Sequence, residues 1–265
     1  MQINDAQKES FRTNGFMIVE DFLTGEELDA ARAACDAEVE RSAREMREQG
    51  VSENGINVLD RKYFILNARL RRPDLRRIVF SGKTEAVCRA TIGETAYLHN
   101  EQFVVKMMDR ATSFAWHQDS GYSVYSGGAA RHEPYVTCWL ALDDMSAANG
   151  TISVLPFPRH EPSRELLEHT WSQEVNAYVG YEGGDEGDLV EVPAGTLVAF
   201  SSRLLHKSGA NTTARPRRSY FVAFTPTLFL HGDASKGVYS QGEPVIVDGA
   251  PRWAESLRAG AAGAN

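Results

Sequence analysis

The chain has 265 residues, of which 42% are hydrophobic and 24% are charged, the composition of an ordinary soluble globular protein. Its formal net charge of −8 argues against nucleic acid as a partner, because binding to phosphate groups needs a basic face. A membrane-spanning helix needs about 20 consecutive apolar residues, and no stretch of the sequence approaches that length. We therefore expect neither a nucleic acid nor a membrane as a partner, and the oligomeric state is left open.

Cysteine usage and the N-terminal residues bear on the cellular compartment. Cys35, Cys88 and Cys138 are widely separated and odd in number, which favours free thiols in a reducing compartment over a disulfide framework. The N-terminal segment MQINDAQKES is polar and acidic and does not resemble a signal peptide. These features predict a cytoplasmic protein.

Helices dominate the predicted N-terminal part, which begins with a helix, a short strand and a second, longer helix. The apolar run at residues 16–19 suits a strand. Thr24 and Glu27 form a capping box, which predicts a helix that continues toward Glu48. A further helical stretch is predicted over residues 73–92, where apolar residues recur at helical spacing.

From residue 96 onward, short β-prone runs alternate with turn-forming residues. Several short strands with turn signals between them predict a sandwich or barrel, and a double-sheet jelly roll is one that can hold a metal ion in its mouth. We predict a mainly β fold with flanking helices, in which N-terminal helices buttress a double-stranded β-helix (jelly-roll, cupin-like) core. The predicted strands cover residues 96–107, 136–142, 151–155, 195–200 and 219–225.

No linker rich in Pro, Gly or Ser divides the sequence, so a single domain over residues 1–265 is predicted. Within it, residues 1–95 form the mainly helical support, residues 96–230 the jelly-roll core and residues 231–265 a C-terminal extension. The terminal segment RAGAAGAN is expected to be a frayed tail.

Three residues have the pattern of a mononuclear non-haem iron site. His117 and Asp119 are separated by one residue, and His206 lies far downstream. Residues i and i+2 of a strand face the same side, so both members of the pair could reach one ion. Two imidazoles and one carboxylate leave open positions on an octahedral ferrous ion. Gln118, between the ligands, is expected to face away and support the strand.

The remaining histidines are predicted to be structural or solvated, because none has a partner at metal-ligand spacing. His169 lies in the charged stretch ELLEHT and is predicted to be a surface residue. The others are His99, His132, His160 and His231.

Separate blocks around these ligands resemble the phytanoyl-CoA dioxygenase family of iron(II)/2-oxoglutarate oxygenases. The N-terminal pattern over residues 15–28 also resembles the start of such proteins. The resemblance covers nearly the whole chain and implies a jelly-roll enzyme that uses Fe(II), 2-oxoglutarate and O2. The blocks are WHQDSGY at 116–122, NGT at 149–151, LHKSGAN at 205–211 and the arginine pair at 217–218.

The resemblance also implies roles for individual residues. His117, Asp119 and His206 match the metal ligands, which are the catalytic centre. Arg217 matches the arginine that pairs with the C5 carboxylate of 2-oxoglutarate, as a forked guanidinium can do bidentately. Its neighbour Arg218 should point to the opposite face of the strand and is given a structural role.

Four further residues are predicted to line the cosubstrate pocket. Ser208 is two residues after the second histidine ligand and matches a position that often donates a hydroxyl to the same carboxylate. Trp139 matches a pocket-lining position, although it could equally be a core tryptophan, and Thr137 is inferred from strand alternation alone. Lys106 stands where family members often carry a lysine, and solvation of a strand end is the alternative that we favour slightly for it.

The expected reaction is hydroxylation of an unactivated C–H bond of a small-molecule metabolite, in natural-product tailoring or catabolism, with release of succinate and CO2. Asp119 argues against halogenation, because related iron halogenases carry Ala or Gly at this position. Desaturation, epoxidation and cyclisation stay open, as do a non-catalytic metal-binding jelly-roll module and a cupin-like metalloenzyme without 2-oxoglutarate. The substrate, and whether it is free or carrier-bound, is left open.

Substrate selection is expected to come from loops at the mouth of the jelly roll. Residues 120–134 are glycine-rich and residues 171–188 end in an acidic run, and both are candidate lids. Arg203 and Lys207 flank the second histidine ligand, where a cation would favour an anionic or polar substrate.

Overall fold

The computed structural model of the protein describes residues 1–125 and 132–259. The α-helices of these ranges are α1 (Asp5–Asn14), α2 (Gly25–Glu48), α3 (Pro73–Val79), α4 (Gly82–Thr91), α5 (Asp119–Tyr125) and α6 (Trp253–Ala259). Short 3-10 helices cover Ala68–Leu70, Ala147–Asn149, Phe157–Arg159, Glu161–Arg164 and Ala234–Lys236.

The strands are short, apart from two long central ones. They are β1 (Phe16–Val19), β2 (Glu53–Asn54), β3 (Asn57–Val58), β4 (Lys62–Leu66), β5 (Ala96–Lys106), β6 (Phe114–His117), β7 (Val136–Ala141), β8 (Ile152–Leu155), β9 (Thr170–Ser172), β10 (Ala177–Val179), β11 (Asp188–Leu189), β12 (Leu197–Ser201), β13 (Leu205–Ser208), β14 (Arg217–Thr225), β15 (Pro244–Val247) and β16 (Ala250–Pro251).

Two antiparallel sheets make up the core. The larger sheet has the order β1-β12-β7-β14-β5-β4-β3-β2, with β15 and β16 attached beside β5. The smaller sheet has the order β11-β8-β13-β6. One cavity is lined by side chains of both sheets, so the sheets face each other across it. This arrangement confirms the predicted jelly roll.

Each predicted helix and each of the five predicted strand ranges overlaps an observed element, although the second helical stretch is divided and the strand expected through Asp119 ends at His117. The long helix α2 begins after Thr24, and the reciprocal capping box with Glu27 is present. Residues 73–92 form two helices because the chain is extended at Ser81. The hydroxyl of Ser81 accepts a hydrogen bond from the backbone N–H of Thr84 and so starts α4.

The helices cover one face of the larger sheet. Cys35 of α2 and Cys88 of α4 are fully buried in the same apolar cluster as Phe103 and Tyr220 of the sheet. The three cysteines are buried free thiols, as predicted. A second apolar cluster, which includes Trp139, lies on the other face. The helices therefore support the sheet from outside and leave its inner face to the cavity.

The predicted subdivisions of the chain share one sheet. Strands β1 and β4 come from the predicted helical support, and β15 comes from the predicted C-terminal extension, yet all three pair within the larger sheet. The predicted frayed tail lies largely outside the described residues, since only its first two residues, at the end of α6, are described. Within residues 1–125 and 132–259, no helix is long and apolar enough to cross a membrane.

A buried carboxylate joins α2 to the segment that leads into α3. Glu38 is 1% exposed and accepts hydrogen bonds from Arg41 at 3.0 Å, Arg71 at 2.8 Å and Arg72 at 2.9 Å. Burial alone would raise the pKa of Glu38, but the bonds from Arg71 and Arg41 outweigh it and hold the pKa below its ordinary value.

We expect Glu38→Gln to lower the free energy of unfolding by about 2 kcal/mol at pH 7, a figure reduced because water screens the partly exposed arginines. The difference should shrink as the pH falls, because a carboxylate with a lowered pKa stabilises the fold only while it is ionised. Urea denaturation at pH 7 and pH 4 measures both. Glu45→Gln is the control, since Glu45 is 49% exposed and its ion pair is with Arg41; equal losses in both variants would contradict the assignment.

Candidate metal and cosubstrate site

The three predicted metal ligands converge at the centre of the cavity. Nε2 of His117 lies 3.9 Å from Oδ1 of Asp119, and Nε2 of His206 lies 3.6 Å from the same oxygen. The three potential ligand atoms all lie within 4.8 Å of one another. This spacing allows one ion to contact all three side chains.

The local structure that brings the ligands together differs from the predicted one. His117 is the last residue of β6, but Asp119 is the first residue of helix α5 rather than a strand residue. The alternation of a strand therefore does not align the pair, and the expectation that it would was wrong. A sharp turn at Gln118 aims both side chains at His206, which pairs with His117 across β13 and β6.

Hydrogen bonds fix both imidazoles in the form that binds a metal. Nδ1 of His117 lies 2.8 Å from the carbonyl oxygen of Ala115, and Nδ1 of His206 lies 3.1 Å from that of Leu204. A carbonyl only accepts, so each Nδ1 carries the proton and each Nε2 presents its lone pair to the centre. Such outer bonds are usual for metal-bound histidines.

The charge states also suit a cation. Desolvation is the largest cause that lowers the pKa of His117 to about 3, and the neighbouring imidazole of His206 is the second. Desolvation also lowers the pKa of His206, to about 4. Both rings are therefore neutral near pH 7. Oδ2 of Asp119 accepts a hydrogen bond of 2.6 Å from the Thr137 hydroxyl of β7, which leaves Oδ1 directed at the histidines. Thr137 thus positions the carboxylate, and it is not among the residues lining the cavity.

Gln118 and His169 hold the turn between the first two ligands. The side-chain amide of Gln118 donates to the carbonyl oxygens of Ser163, Glu165 and Arg203. Gln118 faces away from the ligands, as predicted, but it supports a neighbouring loop rather than the strand. Its own backbone N–H donates to Nε2 of His169 at 2.9 Å.

His169 is buried, 4% exposed, so its predicted surface position was wrong. Its Nδ1 donates to the carbonyl oxygen of Leu167 at 2.9 Å. A Cβ atom at Gly121 or Gly180 would collide with the imidazole, so two glycines distant in sequence make room for the ring. In the sequence, Gly121 and Gly180 were the signal that could have indicated a buried ring. Among the other histidines, His99 also lines the cavity, with its Nδ1 3.2 Å from the Ser240 hydroxyl.

A pair of buried cations lies at one end of the cavity. Arg217 is 1% exposed and donates to the hydroxyl of Ser219 at 3.1 Å and to the carbonyl oxygen of Gly150 at 3.0 Å. Lys106 is also 1% exposed, so the strand-end solvation that we favoured for it was wrong. Its amino group donates to the hydroxyl of Ser208 at 2.8 Å and to the carbonyl oxygen of Gly209 at 2.6 Å.

The cation pair fits an anionic cosubstrate. Nε of Arg217 is buried without a hydrogen-bond partner, and within residues 1–125 and 132–259 no carboxylate forms an ion pair with Arg217 or Lys106. Desolvation lowers the pKa of Arg217 to about 10 and, together with the charge of Arg217, lowers that of Lys106 well below its ordinary value. A bound carboxylate would supply the missing countercharge. Arg218 instead pairs with Asp143 and Asp36 outside the cavity, as predicted from alternation.

The cavity has a volume of about 390 Å3 and extends beyond the ligands to the surface. Ser208 of β13 lines it from the smaller sheet, and Trp139 of β7 and Arg217 of β14 line it from the larger sheet, so three predicted cosubstrate residues face one cavity. Trp139 is 4% exposed and also belongs to the second apolar cluster. Lys106 is not among the lining residues, but its amino group contacts two that are, the hydroxyl of Ser208 and the ring of Phe114.

The two candidate lids have different structures. In the first, Ser120 to Tyr125 are helical, as part of α5, and residues 126–131 lie outside the described residues. In the second, β9 and β10 form a hairpin that covers the cavity, and Trp171, Val175 and Asn176 line it. Tyr178 of this hairpin donates a hydrogen bond to the carbonyl oxygen of Tyr125, which joins the two segments.

The cations that flank His206 are both paired. Arg203 forms an ion pair with Glu165 at 2.9 Å and is not among the residues lining the cavity. Lys207 lines the mouth but pairs with Glu186 of the acidic run and lies over the ring of Trp116. The expectation that these two side chains select an anionic substrate therefore finds no free charge to support it.

We expect His169→Ala to weaken Fe(II) binding by about tenfold, because loss of an outer hydrogen bond loosens the turn that carries two ligands. Competition with a chelator, under anaerobic conditions, measures the affinity. His231→Ala is the matched control, because His231 lies outside the cavity. Equal affinity in the two variants would show that His169 does not position the ligands.

Comparisons with known proteins agree with this geometry. The family model described as "Phytanoyl-CoA dioxygenase (PhyH)" matches residues 11–219. The ectoine dioxygenase of Bordetella parapertussis is 26% identical over 237 residues, 82% of this chain and 74% of the relative. The L-proline trans-4-hydroxylase of Streptomyces griseoviridis is 29% identical over 151 residues, 50% of this chain and 56% of the relative.

A solved structure also shares the fold. The crystal structure of EctD from S. alaskensis with 2-oxoglutarate and 5-hydroxyectoine aligns with a TM-score of 0.66 at 19% identity, over 93% of this chain and 86% of that one. The three residues of the His-Asp-His cluster and Arg217 all fall within residues 11–219, the range that the family model matches. The chain therefore belongs to the phytanoyl-CoA dioxygenase family and is an iron(II)- and 2-oxoglutarate-dependent oxygenase.

Proposed function

We propose that this enzyme hydroxylates an unactivated C–H bond of a small-molecule metabolite, in natural-product tailoring or catabolism. The observation that carries the proposal is that the predicted metal ligands share one cavity with a buried arginine, Arg217, that forms no ion pair with any carboxylate of the described residues. When bound, iron, 2-oxoglutarate and O2 supply the oxidation, with succinate and CO2 as the other products. The enzyme is proposed to work in the cytoplasm, since its three cysteines are free thiols.

Each residue of the site has a separate task in this proposal. His117, Asp119 and His206 hold the iron and leave open positions for the cosubstrate and O2. Arg217 receives the distal carboxylate of 2-oxoglutarate through its unpartnered Nε and adjacent N–H groups, and Ser208 adds a hydroxyl. Lys106 orients that hydroxyl and adds positive charge behind it.

The alternatives differ in what they require of the cavity. A metal-binding module, or a metalloenzyme without 2-oxoglutarate, has no need for a buried arginine that lacks a countercharge. Halogenation would need an open position where Asp119 supplies a ligand oxygen. Desaturation, epoxidation and cyclisation use the same residues, and the identity of the oxidised product separates them from hydroxylation.

Relatives suggest the scale of the substrate. Two of them are named for ectoine and L-proline, which are small ring compounds. A cavity of about 390 Å3 could hold such a ring beside 2-oxoglutarate. We therefore propose a small ring-containing metabolite, taken free rather than on a carrier protein.

We expect Arg217→Met to weaken 2-oxoglutarate binding by about a hundredfold, because it removes the buried partner of a carboxylate while keeping the length of the stem. The adjacent Arg218→Met is the control: it breaks surface ion pairs and should leave that affinity unchanged. Anaerobic titration of the Fe(II) protein with 2-oxoglutarate, followed through the visible charge-transfer band, gives both affinities.

Succinate release during incubation with a panel of small ring metabolites then tests the reaction itself. Substrate-dependent succinate formation with a hydroxylated product is the expected result. His117→Ala should abolish it, because two ligands hold ferrous iron poorly. Absence of the charge-transfer band in the wild-type protein, or full turnover in His117→Ala, would overturn the proposed function.

A further inference from the structure

We propose that Lys62 binds an anionic group of the substrate, so that the enzyme acts on an organic acid with an apolar body. This inference rests on the proposed function, because it assigns the substrate side of the same cavity. It concerns a residue outside the blocks that carry the family resemblance, on a strand that precedes the jelly-roll core.

Strand register places Lys62 in a row of cations. Lys62 of β4 lies opposite Lys106 of β5, and Lys106 lies opposite Arg217 of β14. Directly opposite residues of antiparallel strands point to the same face, so all three project toward the inner side of the sheet. Arg217 and Lys62 both line the cavity, from strands separated by β5.

Lys62 carries a charge that the described chain does not neutralise. In residues 1–125 and 132–259, no carboxylate lies within the 4.0 Å of an ion pair from its amino group, which sits 5.9 Å from the ring centre of Phe114. The adjacent Arg61, by contrast, is bonded to Asp109 at 2.7 Å. Glu53 and Asp109 also act on Lys62 electrostatically, but both carboxylates lie beyond ion-pair distance from its amino group.

The other lysine at the mouth offers a direct comparison. Lys207 also lines the cavity, but its amino group is paired with Glu186. Desolvation and then the charge of Arg61 lower the pKa of Lys62. An anion bound beside it would stabilise the charged form of Lys62 and gain binding free energy, which a neutral group could not do.

The cations at the two ends of the row, Arg217 and Lys62, are assigned to different anions. Arg217 has the unpartnered Nε and stands beside Ser208, so it suits the cosubstrate carboxylate. Lys106, in the middle, is occupied by hydrogen bonds to the protein. Lys62 stands at the far end, beside Phe64 of the same strand, and is left for a second anion that enters with the substrate.

The surroundings of Lys62 indicate an apolar body attached to that anion. Ile56 is 47% exposed, Trp171 is 47% exposed and Val175 is 43% exposed, yet all three line the cavity. They lie on two different hairpins, β2–β3 and β9–β10. Large apolar side chains that face a cavity rather than the core are typical of a ligand-binding wall.

A matched pair of probes tests this assignment in the protein loaded with Fe(II) and 2-oxoglutarate. The probes are 3-phenylpropanoate and its uncharged amide, with 2-phenylethylphosphonate as a second anion. Isothermal titration under anaerobic conditions gives each dissociation constant. We expect the carboxylate to bind the wild-type protein about tenfold more tightly than the amide, as one half-buried ion pair would produce.

The variants separate Lys62 from its surroundings. Lys62→Met should abolish the preference for the carboxylate, Lys62→Arg should keep it, and Lys207→Met should keep it because that lysine is already paired. The phosphonate should follow the carboxylate in every variant. Equal binding of acid and amide to the wild type, no binding of either, or a preference that survives Lys62→Met would overturn the proposal.

The same samples distinguish this proposal from the proposed function. All variants at positions 62 and 207 should bind 2-oxoglutarate with the wild-type affinity. If Lys62→Met loses 2-oxoglutarate, Lys62 belongs to the cosubstrate site and the proposal is wrong. If the wild type itself binds no 2-oxoglutarate, the proposed function fails as well, whereas an intact charge-transfer band with unselective probe binding rejects only the role of Lys62.

Discussion

The register of β14 on β5 and of β5 on β4 is the constraint on which the site depends. It places Arg217, Lys106 and Lys62 side by side on one face of the sheet. Two of these cations are almost completely buried without a carboxylate partner in the described chain, which costs free energy in the absence of ligand. A one-residue slip of register would turn the row to the helix-covered face, so the apolar cluster behind the sheet enforces the position of the charges in front of it.

The proposed metal ligands depend on a different feature, a strand that is followed after one residue by a helix. His117 ends β6 and Asp119 begins α5, and the residue between them is anchored by its amide to three carbonyl groups and by its N–H to His169. The pair approaches His206 where the ladder between β6 and β13 is itself irregular, since its register shifts between His206 and Ser208. Rigid support of this kind matters because coordination geometry tolerates little displacement.

The sequence was sufficient for the chemistry of the site but not for its surroundings. Residue type, spacing and the family resemblance predicted His117, Asp119 and His206 as the metal ligands, and short β-prone runs between turn signals predicted the jelly roll. The burial of His169 was missed, because the two glycines that make space for its ring, Gly121 and Gly180, lie in other segments of the sequence. The helical position of Asp119 was also missed, since H-x-D fits a strand equally well. No role was predicted for Lys62, because its position opposite Lys106 results from the pairing of β4 with β5.

In this proposal, the residues that select the substrate come from other parts of the chain than the residues that hold the iron and the cosubstrate. The ligands and Arg217 come from the core strands and the start of α5, whereas the outer walls come from β4, the β2–β3 hairpin and the β9–β10 hairpin. Those hairpins pair only within themselves or at the edge of the larger sheet, so their sequences can change without loss of the core ladder. An anion fixed at Lys62 and an iron fixed by His117, Asp119 and His206 would define the two ends of a bound substrate. The distance between its acidic group and its oxidised carbon is then set by the fold, and the hairpins determine only which apolar body fits between them.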